Sequence, residues 1–253
     1  MPADLTPISD DVARVTWADD QGFGEIIEAV RSAIQSSFDS GLHRVEAHID
    51  PADVAAQRVA TFSGLRKEGV SRGVAGRQDR IVYARLASDV PVEQPEGFRA
   101  LLNSFLPRKR AISQLLVRDP ADRVLLCRLT YKNDWDLPGG VVEVGESPQL
   151  AVAREVQEEL ALSITAGPLL LTDWLPPWSG WDDALCLVFD GGVQDAAIVD
   201  CIVRQEREIR SAEFCTLQQA RERCADFTAR RVESALANVG GAGPSYVESG
   251  GPA

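Results

Sequence analysis

Three carboxylates, Glu155, Glu158 and Glu159, stand at i, i+3 and i+4 in the run Arg154-Glu155-Val156-Gln157-Glu158-Glu159-Leu160-Ala161-Leu162. On a helix this spacing gathers them on one face. Like charges that close repel unless a cation neutralises them, and Arg154 offsets only part of the repulsion through its i,i+4 pairing with Glu158. Hard divalent cations such as Mg2+ or Mn2+ bind clustered carboxylate oxygens, and Mg2+ commonly shares itself with substrate phosphates. Taken alone, E-x-x-E-E also fits an ordinary glutamate-rich solvated helix face. The flanking residues decide between the two.

Gly139-Gly140-Val141-Val142-Glu143-Val144-Gly145-Glu146 reads as a tight glycine loop ending in a carboxylate. Ser147 is a good N-cap and Pro148 suits the first helical position, so a helix is expected over 148–160 with Val152, Val156 and Leu160 buried. Glycine, five residues, Glu146, seven residues and then R-E-V-x-E-E-x-A-L resembles the Nudix hydrolase signature. One position departs from it: the usual glycine near the end of the box is Ala161, at the helix C-terminus, where a local backbone adjustment is expected without loss of chemistry.

The resemblance implies hydrolysis of a nucleoside diphosphate linked to another group, with Mg2+ or Mn2+ as cofactor. It implies Glu158 and Glu159 as main metal ligands, helped by the Gly139 carbonyl, and Glu155 as a ligand or the group that orients or deprotonates water. Arg154 would pin the glutamates, while Gly140 and Glu146 support the loop and helix start. Some members of the family add a carboxylate from a later loop; Glu208 is the candidate and Glu206 the second, both equally readable as solvated strand residues. Trp174, Trp178 and Trp181, read as one cluster on a proline-rich loop, either stack on a base or only pack as a rim. Asp182 and Asp183 are candidates for a base or sugar edge.

Composition narrows the class. The 253 residues are 45% hydrophobic and 25% charged, ordinary for a globular protein, and allow two small domains. A formal net charge of -12 argues against a nucleic-acid polymer as partner and leaves small phosphorylated ligands open. Cys127, Cys186, Cys201, Cys215 and Cys224 show no C-x-x-C spacing, and each is expected to fill a core position. The two histidines, His43 and His48, lie far upstream of the glycine loop, which excludes a histidine triad or zinc site built within the later region. No signal peptide or membrane-spanning run is visible, and a cytoplasmic, reduced setting is expected.

Residues 1–90 read as helix, strand, helix, strand, strand: helices over 24–38 and 53–62, a strand over 44–49, and a strand pair within 69–86. Leu42-His43-Arg44-Val45-Glu46-Ala47, Asp50-Pro51, Gln57-Arg58-Val59 and Arg66-Lys67-Glu68-Gly69-Val70 resemble the C-terminal half of a GNAT acetyltransferase. The resemblance implies a coenzyme A pyrophosphate site at Gly22 and Gly24. Asp19 opens that turn where the family has a basic residue or glutamine, Asp53 and Ala56 replace its asparagine and serine, and the N-terminal half-fold is missing. A structural, homodimerising or ligand-sensing role is expected here instead of acetyl transfer.

The expected architecture is an α/β (α+β) chain: a partial GNAT-like α/β domain over 1–90, a linker over 91–110, a Nudix α/β/α sandwich over 111–239, and a disordered tail over 240–253. The expected function is metal-dependent cleavage of a diphosphate linkage in a small nucleotide or nucleotide conjugate, with no membrane partner. The alternative is a nucleotide- or coenzyme A-binding sensor.

Overall fold

The structure is a computed structural model that describes residues 3–74, 76–241 and 243–252. The chain divides into two compact units, Met1–Pro107 and Arg108–Ala253. No helix among the described residues is long and apolar enough to cross a membrane.

The first unit holds strands β1 (Ala3–Ser9), β2 (Val12–Trp17), β3 (Arg44–Ile49), β4 (Arg66–Val74) and β5 (Gln78–Leu86) in the order β1-β2-β3-β5-β4. Helices α1 (Phe23–Asp39) and α2 (Val54–Phe62) bury Ile26, Val30, Ile34, Val59 and Ala60 against Val45, Ala47 and Ile49. The sequence reading omitted β1 and β2. β1 alternates no apolar face, being exposed from Asp4 to Ser9, and pairs through its backbone with β2. The stretch expected to be a linker carries α3 (Pro95–Phe105), and Ser104 Oγ accepts the N–H of Lys67 in β4 at 3.1 Å.

The second unit is a nine-stranded mixed sheet of β6 (Arg110–Arg118), β7 (Val124–Leu129), β8 (Trp135–Asp136), β9 (Gly139–Val141), β10 (Leu169–Leu175), β11 (Ala184–Val193), β12 (Ile209–Cys215), β13 (Ser245–Glu248) and β14 (Gly251–Pro252). Period-2 alternation in β6 and β7 splits its apolar residues between two faces. Leu115, Val117, Leu125 and Cys127 pack beneath α4 (Pro148–Leu160), against Val152, Val156 and Leu160. Leu116, Val124 and Leu126 face α5 (Leu217–Arg223) and α6 (Asp226–Ala237) through Ala220, Ala229 and Val232. Helix, sheet and helix therefore stack in three layers, as expected.

Three expectations are corrected. The tail is ordered at 245–252: β13 runs parallel to β10, and Gly250 donates its N–H to the buried Asp173 at 3.0 Å. Backbone pairing of this kind needs no hydrophobic pattern, so polar and glycine-rich sequence conceals it; Ala242 and Ala253 lie outside the described residues. Glu206 and Glu208 sit on a turn before β12 and not in a strand. Cys201 is exposed on a short 3-10 helix (Ala196–Cys201), whereas the other four cysteines are buried.

Candidate active site

Two glycines let the loop and the helix meet. Gly139 adopts φ +136, and a Cβ there would lie 2.2 Å from the Ser113 carbonyl oxygen of β6. A Cβ on Gly140 would lie 2.5 Å from the carboxyl carbon of Glu155. Only bare backbone allows β9 to lie on β6 and α4 to bring its carboxylate against the loop. At the far end of α4, Ala161 takes the left-handed conformation (φ 56, ψ 27) that glycine usually supplies, at about 1–2 kcal/mol of strain.

Arg154 organises the carboxylates. Its Nε and Nη2 donate to the two oxygens of Glu146, each at 2.9 Å. Its Nη1 donates to Glu155 and to Glu158, each at 3.1 Å. The hydrogen bonds from Arg154 hold the Glu146 carboxyl below its ordinary range. Glu159 is 5% exposed and accepts the N–H of Gly139 at 3.0 Å. Burial pushes its carboxyl up to about 8 against that hydrogen bond, and the charges of Glu155, Glu208 and Asp136 add to the rise. Burial also raises Glu155, opposed by Arg154 and reinforced by Glu158 and Glu208.

The structure thus brings Arg154, Glu155, Glu158, Glu159, Glu146, Gly139 and Gly140 together. Glu208 is close enough for its charge to act on both Glu155 and Glu159. Glu206 is exposed on the same turn. No group of three or more metal-ready His, Cys, Asp or Glu side chains occurs among the described residues. Arg154 draws Glu155 and Glu158 toward itself, while Glu159 turns to the loop N–H.

The tryptophans do not form one cluster. Trp174 lies within β10, opposite Leu185 and Glu248, because the strand continues through Leu175. Trp178 and Trp181 exchange backbone hydrogen bonds of 3.1 and 2.9 Å across Ser179 (φ 50) and Gly180 (φ 86), a type I′ hairpin. The two residues are 62% and 59% exposed. The Arg110 guanidinium lies 4.7 Å from the Trp181 ring centre, and the neighbouring Ala111 carbonyl accepts the N–H of Val142 from the glycine loop at 3.0 Å. Asp183 pairs with Lys109, and the Asp182 carbonyl accepts a bond from Arg110 at 3.1 Å.

A buried polar chain behind the loop escaped the sequence reading. Arg231, 2% exposed, donates to Asp173 at 2.7 Å and to Gln114 at 3.1 Å. Gln114 donates to Asp136 at 2.8 Å, and Lys132 pairs with Asp136 at 2.7 Å. Asp136 also accepts the N–H of Leu137 at 3.0 Å, two residues before Gly139. The run Trp135-Asp136-Leu137-Pro138 was the only local signal for it; nothing in the sequence marks Arg231 as buried.

A family model described as the NUDIX domain matches residues 107–235. Among relatives, a MutT-like protein of Streptomyces ambofaciens is 37% identical over 59 residues, 23% of this chain and 38% of that protein. The chain therefore spans well under half the length of that relative. Nucleoside triphosphatase NudI of Escherichia fergusonii is 31% identical over 112 residues, covering 40% of this chain and 74% of the relative. Among solved structures, the MutT protein of Methanosarcina mazei Go1 aligns with a TM-score of 0.45 at 23% identity, over 52% of this chain and 96% of that one. A ribosomal-protein-S5-alanine acetyltransferase of Vibrio fischeri aligns with a TM-score of 0.30 at 24% identity, over 35% and 53%.

Proposed function

Because this chain belongs to the NUDIX domain family, we propose that it is a metal-dependent hydrolase opening the diphosphate linkage of a nucleotide or nucleoside diphosphate conjugate. The observation that carries this reading is Arg154, one guanidinium that holds Glu146 with two bonds and bridges Glu155 and Glu158. The donor set fits a hard divalent cation. Its oxygens cluster where burial and mutual repulsion disfavour their charge, a cost that Mg2+ or Mn2+ would offset.

Glu155, Glu158 and Glu159 would hold the metal with the Gly139 carbonyl, and Glu208 would join from its turn. Bound there, the metal supplies charge neutralisation at the phosphoryl oxygens and an activated water. Arg154 and Glu146 keep the carboxylates in register with the loop. Glu155, seated against Gly140, orients the attacking water or takes its proton. Trp178 and Trp181 offer π-faces to a base, with Arg110 already stacked on Trp181. The names of the relatives, MutT-like protein and nucleoside triphosphatase, favour a nucleoside triphosphate among the candidate substrates. Phosphate-product release from ordinary and oxidised nucleoside triphosphates, ADP-ribose, NAD, dinucleoside polyphosphates and coenzyme A, with Mg2+, Mn2+ or chelator, tests the reading. Silence across the panel would overturn it.

For the first unit we infer a structural or sensing role, not acetyl transfer. A cavity of about 200 Å³ there is lined by Trp17, Asp19, His48, Asp50 and Asp53. Three carboxylates repel the pyrophosphate of coenzyme A. Titration of the whole chain with coenzyme A is expected to give no binding heat, and micromolar affinity would restore the cofactor role.

A further inference from the structure

In a protein of formal net charge -12, arginines commonly find carboxylate partners. In the second unit Arg154, Arg221 and Arg223 each pair with a glutamate, at 2.9, 2.6 and 2.9 Å. Arg108, Arg110, Arg128 and Arg230 form no ion pair among the described residues, and the turn before β12 gathers three more such arginines within one short stretch. Arg204, Arg207 and Arg210 are all exposed within seven residues, and none forms an ion pair among the described residues. Two of them wrap one backbone corner: Arg204 donates to the Arg210 carbonyl, and Arg210 donates to the Thr130 carbonyl at 3.0 Å. Thr130 closes the corner, with its hydroxyl donating to the Arg207 carbonyl and its N–H to the Glu208 carbonyl at 2.8 Å. Guanidiniums without an acidic partner on one short turn repel one another until an anion arrives, and each keeps further N–H donors for it.

The corner adjoins the carboxylate centre: Val203 and Gln205, on either side of Arg204, donate their N–H groups to the Leu160 and Glu159 carbonyls at the end of α4, at 3.1 and 2.9 Å. Glu208 shares the turn, and its charge acts on Glu155 and Glu159. Tyr131, next to Thr130, is 71% exposed. Glu208 and the three arginines thus share one short turn that is bonded to Thr130.

We propose that Arg204, Arg207 and Arg210 form an anion subsite beside the carboxylate centre that takes the terminal phosphate of a polyphosphate chain. The chemistry selects a nucleoside triphosphate over a nucleoside diphosphate joined to a neutral sugar, because only the triphosphate carries a further anionic group beyond the diphosphate. Arginine suits this task through forked donation to phosphate oxygens. The choice of substrate rests on the hydrolase reading; the anion subsite does not.

Calorimetric titration with inorganic tripolyphosphate in chelator reads the subsite without turnover. The whole chain is expected to bind it, more weakly as salt rises. Arg204→Gln, Arg207→Gln and Arg210→Gln should each weaken binding by roughly tenfold, a loss of about 1.4 kcal/mol, while Arg99→Gln in the first unit should bind as the parent does. In turnover, the three variants should lower the preference in kcat/KM for a nucleoside triphosphate over a nucleoside diphosphate hexose. Parent-like tripolyphosphate binding by all three variants, or no binding by the parent, would overturn the subsite. Arginine-dependent binding without hydrolysis of any substrate would instead overturn the hydrolase reading and leave the subsite standing.

Discussion

The carboxylate of Glu159 accepts the backbone N–H of Gly139 at 3.0 Å, across twenty positions of sequence. This bond ties the last turn of α4 to the start of β9, so the geometry of the glycine loop and that of the carboxylates are set together. Changes in the loop should therefore be read out at the carboxylates.

Gly139 and Gly140 should fail in different ways. Alanine at Gly140 drives a methyl into the end of the Glu155 side chain, which can swing aside. Turnover is expected to fall about 10–100-fold with folding retained, the scale of losses when a ligand's support is disturbed. Alanine at Gly139 meets the Ser113 backbone at positive φ, and strain of about 1–3 kcal/mol should appear as lost stability. Urea unfolding beside steady-state kinetics checks both; an unimpaired Gly140→Ala enzyme would contradict the placement of Glu155.

Arg154→Lys keeps the charge and loses the fork. It should cost about 10–100-fold in kcat, and Glu146→Gln should cost less. The pair are partners in two bonds, so their effects should be non-additive in a double-mutant cycle. Strict additivity would mean that Glu146 does not act through Arg154.

The α4 region was legible because its signals are local. Pro148 in the first turn and the glycines mark where the loop ends and the helix begins, Ser147 standing at the N-cap without a side-chain cap bond, and Val152, Val156 and Leu160 fix the buried face. Arg231 and Asp173 were not legible, since they meet across fifty-eight positions and each reads as an ordinary surface residue. β1 carries Pro7 and an exposed face, and β13 is only four residues long with one buried residue, Val247, so neither offers enough alternation to betray a strand. The grouping of Trp174 with Trp178 and Trp181 failed for a related reason: composition does not show that Trp174 is held in the strand while the other two lie on its hairpin.

Arg231 should prove a stability residue. Replacing it with methionine leaves Asp173, itself 0% exposed, as an unpaired buried charge beside Gln114. Removing one partner of a buried pair costs about 3–5 kcal/mol. Chemical denaturation of Arg231→Met measures it, and a loss below about 1 kcal/mol would show that the network contributes little.

Asp119 gives a pH signature. Although burial alone would raise its carboxyl, the Arg123 guanidinium and the N–H groups of Ala121 and Arg123 hold it below its ordinary value of 3.8. The folded form then binds fewer protons than the unfolded form between the two values. The stability contributed by Asp119 is full above about pH 4 and is lost as pH falls through the folded value. Asp119→Asn should lower stability at neutral pH and flatten the acid limb of the unfolding midpoint plotted against pH. An acid limb as steep as that of the parent would contradict the assignment.

The central claim is that the α4 glutamates hold a catalytic metal for diphosphate cleavage. The most direct measurement is product release from nucleoside triphosphates and diphosphate conjugates by the parent, Glu158→Gln and Glu159→Gln, each with Mg2+, with Mn2+ and with chelator. The account predicts turnover by the parent that chelator abolishes, with both variants folded and slowed by roughly a hundredfold or more. Full activity in either variant, or turnover by the parent that survives chelation, would contradict it.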